Sequence, residues 1–178
     1  MSADPGAEPA TRAAAIDPAD RADIDALLFD FVARQRARGR RVLGLLMAPR
    51  DTSEGCRAQM WLTDVDNGDA YLVSQPLGAG SSGCAADPQG FARASRVLRD
   101  ALERQPDLVV CDRFGALEAE NGGFVDELGA LLSAGVPVLT VVAAKHHGAW
   151  RRFIGEAPWL PAEPAAWDRW LDNTLQTA

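Results

Sequence analysis

Leu108-Val109-Val110-Cys111-Asp112 (residues 108–112) is an unbroken apolar run that ends on a carboxylate. Such a run is too short for a helix and too continuously apolar for a half-exposed strand. It reads as a strand covered on both faces, which is the pattern of a parallel sheet. The flanks agree. Before it, Asp87 and Pro88 form a cap and first-turn pair, and the segment to Gln105 sets Phe91, Ala94, Val97, Leu98, Ala101 and Leu102 on one helical face. After it, Phe124 to Ala134 is a further helix closed by Gly135, and Val138–Val142 (VLTVV) is a second buried strand.

The N-terminal half repeats the rhythm. Ala13–Ile16 is a candidate first strand, and Asp20 is placed to cap the helix that follows. From Asp23 to Arg38, residues Ile24, Leu27, Leu28, Phe31 and Val32 fall on one face, and Gly39 is the natural stop. Arg41–Met47 (RVLGLLM) is again nearly all apolar. Helices alternating with apolar strands imply an α/β fold: three layers around a mostly parallel sheet with right-handed crossovers.

Two segments break the rhythm. Gln59–Asp64 and Ala70–Ser74 flank Asp66-Asn67-Gly68-Asp69, and Asn-Gly signals a hairpin whose two central residues both take positive φ. This predicts an antiparallel insertion. Gln75 to Cys84 (QPLGAGSSGC) is then a Gly/Ser-rich loop. From Gly148 the chain holds Trp150, Trp159, Trp167 and Trp170, with helical stretches at Trp150–Ile154 and Pro164–Leu175. Trp167 and Trp170 share a helical face, which reads as packing on the sheet or, if exposed, as a dimer contact. Residues 1–12 read as a mobile tail and 13–178 as one domain.

The composition is that of a globular protein: 178 residues, 47% hydrophobic and 24% charged. It excludes a mainly disordered chain, a collagen and a disulfide-dense mini-protein. The formal net charge of −7 argues against nucleic acid as a partner. There is no apolar run long enough for a membrane span and no secretory leader pattern, so a cytoplasmic protein without a membrane partner is expected. Cys56, Cys84 and Cys111 do not make a disulfide framework, and the spacing of Cys56 and Cys84 matches no zinc pattern. Neither a metal nor a cofactor is predicted.

In an open α/β sheet, ligands sit beyond the carboxyl ends of the strands. The segments predicted there are Asp17 to Asp20, Ala48 to Thr52, Asp112 to Asn121 and Ala143 to His147. The Gly/Ser loop is a candidate anion nest, with backbone N–H groups of Gly78, Gly80 and Gly83 and hydroxyls of Ser81 and Ser82, or else a plain flexible connector. The basic cluster Arg34, Arg36, Arg38, Arg40 and Arg41 reads as the wet end of a helix, with recognition of an acidic partner or a phosphate as the sharper alternative. His146 and His147 read as a loop pair rather than metal ligands.

Cys56 to Asp64, Asn67-Gly68, Ser74-Gln75 and Asp107 to Glu118, with Ser82-Gly83-Cys84, Asp87-Pro88 and Trp150 to Phe153, resemble the uncharacterised bacterial family called domain of unknown function 2478. The resemblance spans roughly Ile16 to Leu160. Ala85 departs from it, where the family pattern favours Arg. The family's genes are often associated with molybdenum uptake, which implies a context. Asp112-Arg113-Phe114-Gly115-Ala116-Leu117-Glu118 is also remotely similar to the Asp-Glu-Ile-Gly-x-Met-Glu motif of thermophile-type P-loop nucleoside triphosphatases. That similarity implies polar ligand or metal contacts for Asp112 and Glu118. It also exposes a departure: Arg113 replaces the acidic residue linked to water activation.

The larger departure is at the phosphate site. A P-loop needs glycines to wrap phosphate and a lysine to neutralise it. Here the first strand is followed by Asp17-Pro18-Ala19-Asp20-Arg21-Ala22-Asp23, and the only lysine, Lys145, lies after the last predicted strand. Asp17, Asp20, Asp23 and Asp25 oppose a phosphate. Two like unit charges ~4 Å apart repel by about 4 kcal/mol at an effective dielectric of ~20, more than a helix N-terminus offsets. The sequence therefore predicts a non-hydrolysing binder with no catalytic residue. Its expected ligand contacts are Gly80, Ser81, Ser82, Gly83, Cys84, Asp112, Arg113 and Glu118. The expected partner is a small anion such as molybdate, a protein, or a second copy of the chain. A triphosphatase with a divergent phosphate site and a pure interaction module are the alternatives.

Overall fold

The computed structural model describes residues 11–48, 59–76 and 84–177. In chain order the elements are β1 (Ala13–Ile16), α1 (Ile24–Ala37), β2 (Val42–Met47), β3 (Trp61–Asp64), β4 (Ala70–Leu72), β5 (Ser74–Pro76), β6 (Cys84–Ala86), α2 (Pro88–Glu103), β7 (Leu108–Cys111), α3 (Ala116–Ala119), α4 (Val125–Ser133), β8 (Val138–Val141), α5 (His147–Ile154), β9 (Trp159–Leu160) and α6 (Pro164–Gln176). One sheet runs β4-β3-β2-β7-β8-β1-β9. Its members β2, β7, β8, β1 and β9 are parallel, while β3 and β4 extend it antiparallel. The register pairs Leu45 with Cys111 and Cys111 with Thr140.

Alternate residues of each parallel strand enter different cores, as period-2 geometry requires. Ala13, Ala15, Leu43, Leu45, Val109 and Cys111 pack with α2, α4 and α5. Ala14, Ile16, Val42, Leu46, Leu108 and Val110 pack with α1 and α6. Helices thus cover both faces, which is why these strands read as unbroken apolar runs. Trp150 and Trp167 anchor the two cores, edge-on to Phe114 and Phe31 respectively. Trp167 is fully buried and Trp170 only partly, so the shared face packs inward at its centre. No helix among the described residues is long and apolar enough to cross a membrane.

Several boundaries differ from the expectation for local reasons. Asp20 does not cap α1. Asp17 Oδ1 accepts the Ala19 N–H, Arg21 clamps Asp23 with two bonds of 2.7 and 2.6 Å, and the helix starts only after Asp23. In the β3–β4 turn only Gly68 takes positive φ, not both residues of the Asn-Gly pair. The Asp64 carboxylate accepts from Asp66 N–H and the Asn67 side chain from Asp69 N–H, which supports a wider turn. Ser74–Pro76 and Cys84–Ala86 pair antiparallel, so both ends of the predicted Gly/Ser loop are strand. The four-residue α3 and the two-residue β9 carry no periodic signal, and the sequence reading did not foresee them. His146 and His147 lie in helical turns rather than an open loop.

The arginine cluster is tied down within the molecule. Arg34 pairs with Asp168, Arg38 and Arg40 with Asp172, and Arg36 with Asp66, while Arg41 donates to the Arg104 carbonyl. Fully buried Gln35 completes the seam, donating to Asp168 and accepting from Arg40. These contacts fasten α1 to α6 and to the β3–β4 turn.

Gly44 lies in β2 at φ +121°, where an added Cβ would stand 1.9 Å from the Val110 carbonyl oxygen. Side chains rarely adopt that backbone, and here nothing soft can yield. Gly44→Ala is expected to cost about 3 kcal/mol or more, read as a lower urea midpoint; an unchanged midpoint would contradict this packing of β2 on β7.

Candidate functional site

All five parallel strands end at one edge of the sheet, and the residues just past them converge there. Asp112 follows β7. Its N–H donates to the Leu45 carbonyl at 3.0 Å, and its Oδ2 accepts the Met47 N–H at 3.3 Å. The side chain is therefore folded back against β2 and is 1% exposed. The next residue, Arg113, reaches across to the first turn of α1. Its Nη2 donates to Asp25 Oδ1 at 2.8 Å, while its Nε lies 3.1 Å from Asp112 Oδ1. One guanidinium thus sits between two carboxylates from distant parts of the chain.

Thr140 of β8 holds this turn in place. Its hydroxyl donates to the Cys111 carbonyl and accepts the Phe114 N–H, bracketing Asp112 and Arg113. Phe114 is then locked against Trp150 and Phe153. Burial pushes the Asp112 carboxyl up to about 6, Arg113 pulls it back, and nearby Asp25 raises it again. A buried carboxyl titrating near neutrality at a strand end is the kind of group that functional sites use.

Glu118 is bound differently. Its Oε2 accepts the Gly115 N–H at 2.9 Å and its Oε1 the Phe124 N–H at 3.1 Å, and it is 5% exposed. Both oxygens close the loop around α3, and Gly123 leaves the room they need. The Cys111 thiol is pushed well above its usual range by burial, with the Glu118 and Asp112 carboxylates adding to the shift. It is an inert core group. On the other side of β1, His147 Nε2 lies 3.6 Å from Asp17 Oδ2, and its ring rests on Trp159 at 4.1 Å between centroids.

Of the residues singled out from sequence, Asp112 and Arg113 meet in one cluster, and Glu118 organises the adjoining loop. Gly80, Ser81, Ser82, Gly83 and Cys56 lie outside the described residues, as does most of the predicted tail; Cys84 is described only as the first residue of β6. Among the described residues, no group of three or more metal-ligating side chains comes together. Asp25 and the His147–Asp17 contact were missed. Asp25 was visible only as one acid among four at the start of α1, and nothing in a linear pattern pairs it with a residue 88 positions away.

The family described as Protein of unknown function (DUF2478) matches residues 13–170. The chain belongs to that family. It is also similar to the Molybdenum import ATP-binding protein ModC 2 of Bradyrhizobium diazoefficiens, being 36% identical over 144 residues. That stretch is 81% of this chain but only 16% of the relative's length. This DUF2478 chain is an α/β protein whose mostly parallel sheet is extended by an antiparallel hairpin.

Asp112 gives the site a pH signature. The folded carboxyl ionises near 6 against an ordinary value of 3.8, so the folded state holds the extra proton between those values. Stability from this group is therefore full below the unfolded value and is lost as pH rises through the folded one. Relative to Asp112→Asn, the wild type should lose on the order of 3 kcal/mol between acid and neutral pH. Urea midpoints of both proteins across that range are the check; parallel profiles would show that Asp112 is not held this way.

Proposed function

We propose that this protein is a non-hydrolysing binder of a small ligand or protein partner, on a scaffold resembling that of the P-loop nucleoside triphosphatases and serving molybdenum homeostasis. The observation that carries the reading is the Asp25–Arg113–Asp112 cluster. In phosphate-binding folds the start of a helix offers free N–H groups and a partial positive charge to an anion. Here the first turn of α1 carries Asp25 beside the Arg21–Asp23 clamp, so its charge is already met from within. Arg113 is engaged by two carboxylates and is not a free counter-charge for a γ-phosphate.

The similarity to part of a molybdenum import ATP-binding protein supports the molybdenum context. Within that context the ligand is an oxyanion such as molybdate, received by Gly80, Ser81, Ser82, Gly83 and Cys84. Arg113, which is a third exposed, is a cation on the strand-end face. Asp112 lies beside the Arg113 guanidinium, and Glu118 holds the loop behind it. One observation favours the catalytic alternative: a buried carboxyl pushed up to about 6 is a competent general base.

Melting curves with molybdate, tungstate, sulfate, and ATP or GTP with magnesium test the reading, together with a phosphate-release assay. Molybdate and tungstate should raise the melting temperature, a ligand at 100 times its Kd adding about 2.7 kcal/mol. The Ser81→Ala, Ser82→Ala double variant should lose that rise, and no nucleotide should yield sustained phosphate. Phosphate release abolished by Asp112→Ala would establish the triphosphatase instead.

A further inference from the structure

A cavity lies away from the strand ends, beside the start of β2, between α2 and the β3–β4 hairpin. It encloses about 370 Å³. Leu43 and Val97 give it an apolar floor, with Tyr71 of β4 beside them. Its charged lining is balanced, with three carboxylates facing three guanidiniums. Part of that lining is already spent. Arg104 is held by Asp66 at 2.7 Å, and Arg93 reaches Asp87 only at 3.9 Å.

What remains is bipolar. Asp64 is 8% exposed, and its Oδ1 accepts the Asp66 N–H. Its second oxygen has no hydrogen-bond partner among the described residues, and neither has the Tyr71 hydroxyl. Burial pushes both groups above their usual ranges, and Asp64 adds to the shift at Tyr71. Both groups line the cavity, and neither of these oxygens is met there by a donor from the described residues. On α2, Arg96 has no ion-pair partner among the described residues and stands exposed at the rim. A carboxylate oxygen that faces the cavity without a protein donor is free to accept from an incoming N–H group. An ion of a single sign would meet repulsion from half of the lining.

We propose that this cavity binds a small zwitterion: an ammonium group seated on Asp64 and Tyr71, a short apolar body over Leu43 and Val97, and a carboxylate or similar anion at Arg96. The site is separate from the strand-end cluster and does not rest on the function proposed for it. Isothermal titration with γ-aminobutyrate and ε-aminocaproate tests it, with caproate and hexylamine as probes of a single charge. At least one zwitterion should bind at least roughly tenfold more tightly than either single-charge probe. Asp64→Asn keeps the acceptor for the Asp66 N–H, so the turn persists, and Arg96→Gln changes an exposed side chain. Each should weaken zwitterion binding by about tenfold or more. Asp112→Asn should leave it unchanged. The absence of binding by both zwitterions, equal affinity for the singly charged probes, or indifference to Arg96→Gln would overturn the proposal.

Discussion

Arg113 stands between Asp112, which ends a core strand, and Asp25, which opens the first helix. The rest of the strand-end face takes its character from this arrangement. A carboxylate as buried as Asp112 would be costly to ionise alone, and the adjacent guanidinium offsets much of that cost. Arg113 is in turn anchored by Asp25, so the positive end of α1 is coupled to the end of β7. A phosphate group arriving there would have to displace a carboxylate that is already hydrogen-bonded.

The same logic governs the opposite end. Arginines crowd the end of α1, yet most of them meet a carboxylate from α6 or from the β3–β4 turn. The two ends differ in what is left over. At the strand ends Asp112 and Asp25 share a single guanidinium, and Asp17 faces His147. In the cavity under the hairpin the unpaired groups are of both signs, which is the more welcoming arrangement for a small polar molecule.

The sheet was legible because burial on both faces leaves a signature that needs no partner to read. Val42–Met47, Leu108–Cys111 and Val138–Val141 are strands for that reason, and Ala13–Ile16 matches its expected bounds. Asp87 and Pro88 likewise announced the start of α2. What the sequence concealed was side-chain choice. Asp20 and Asp23 are equal candidates for a cap until Arg21 selects one, and Asn67-Gly68 suggests a tight turn until Asp64 supplies an extra acceptor. The site was half legible: Asp112 and Arg113 were placed at a strand end. Their partner Asp25 is brought to them only by the packing of α1 beside β7, and the role of Glu118 as a loop clasp depends on the fold of α3.

The central claim is that the first turn of α1 is closed to phosphate by the protein's own charges. A crystal structure of the protein with ATP and magnesium tests it most directly. The account predicts Arg113 still bonded to Asp25, with no nucleotide ordered at Ile24 and Asp25. An ordered triphosphate on that turn, with Arg113 swung onto its phosphates, would contradict it.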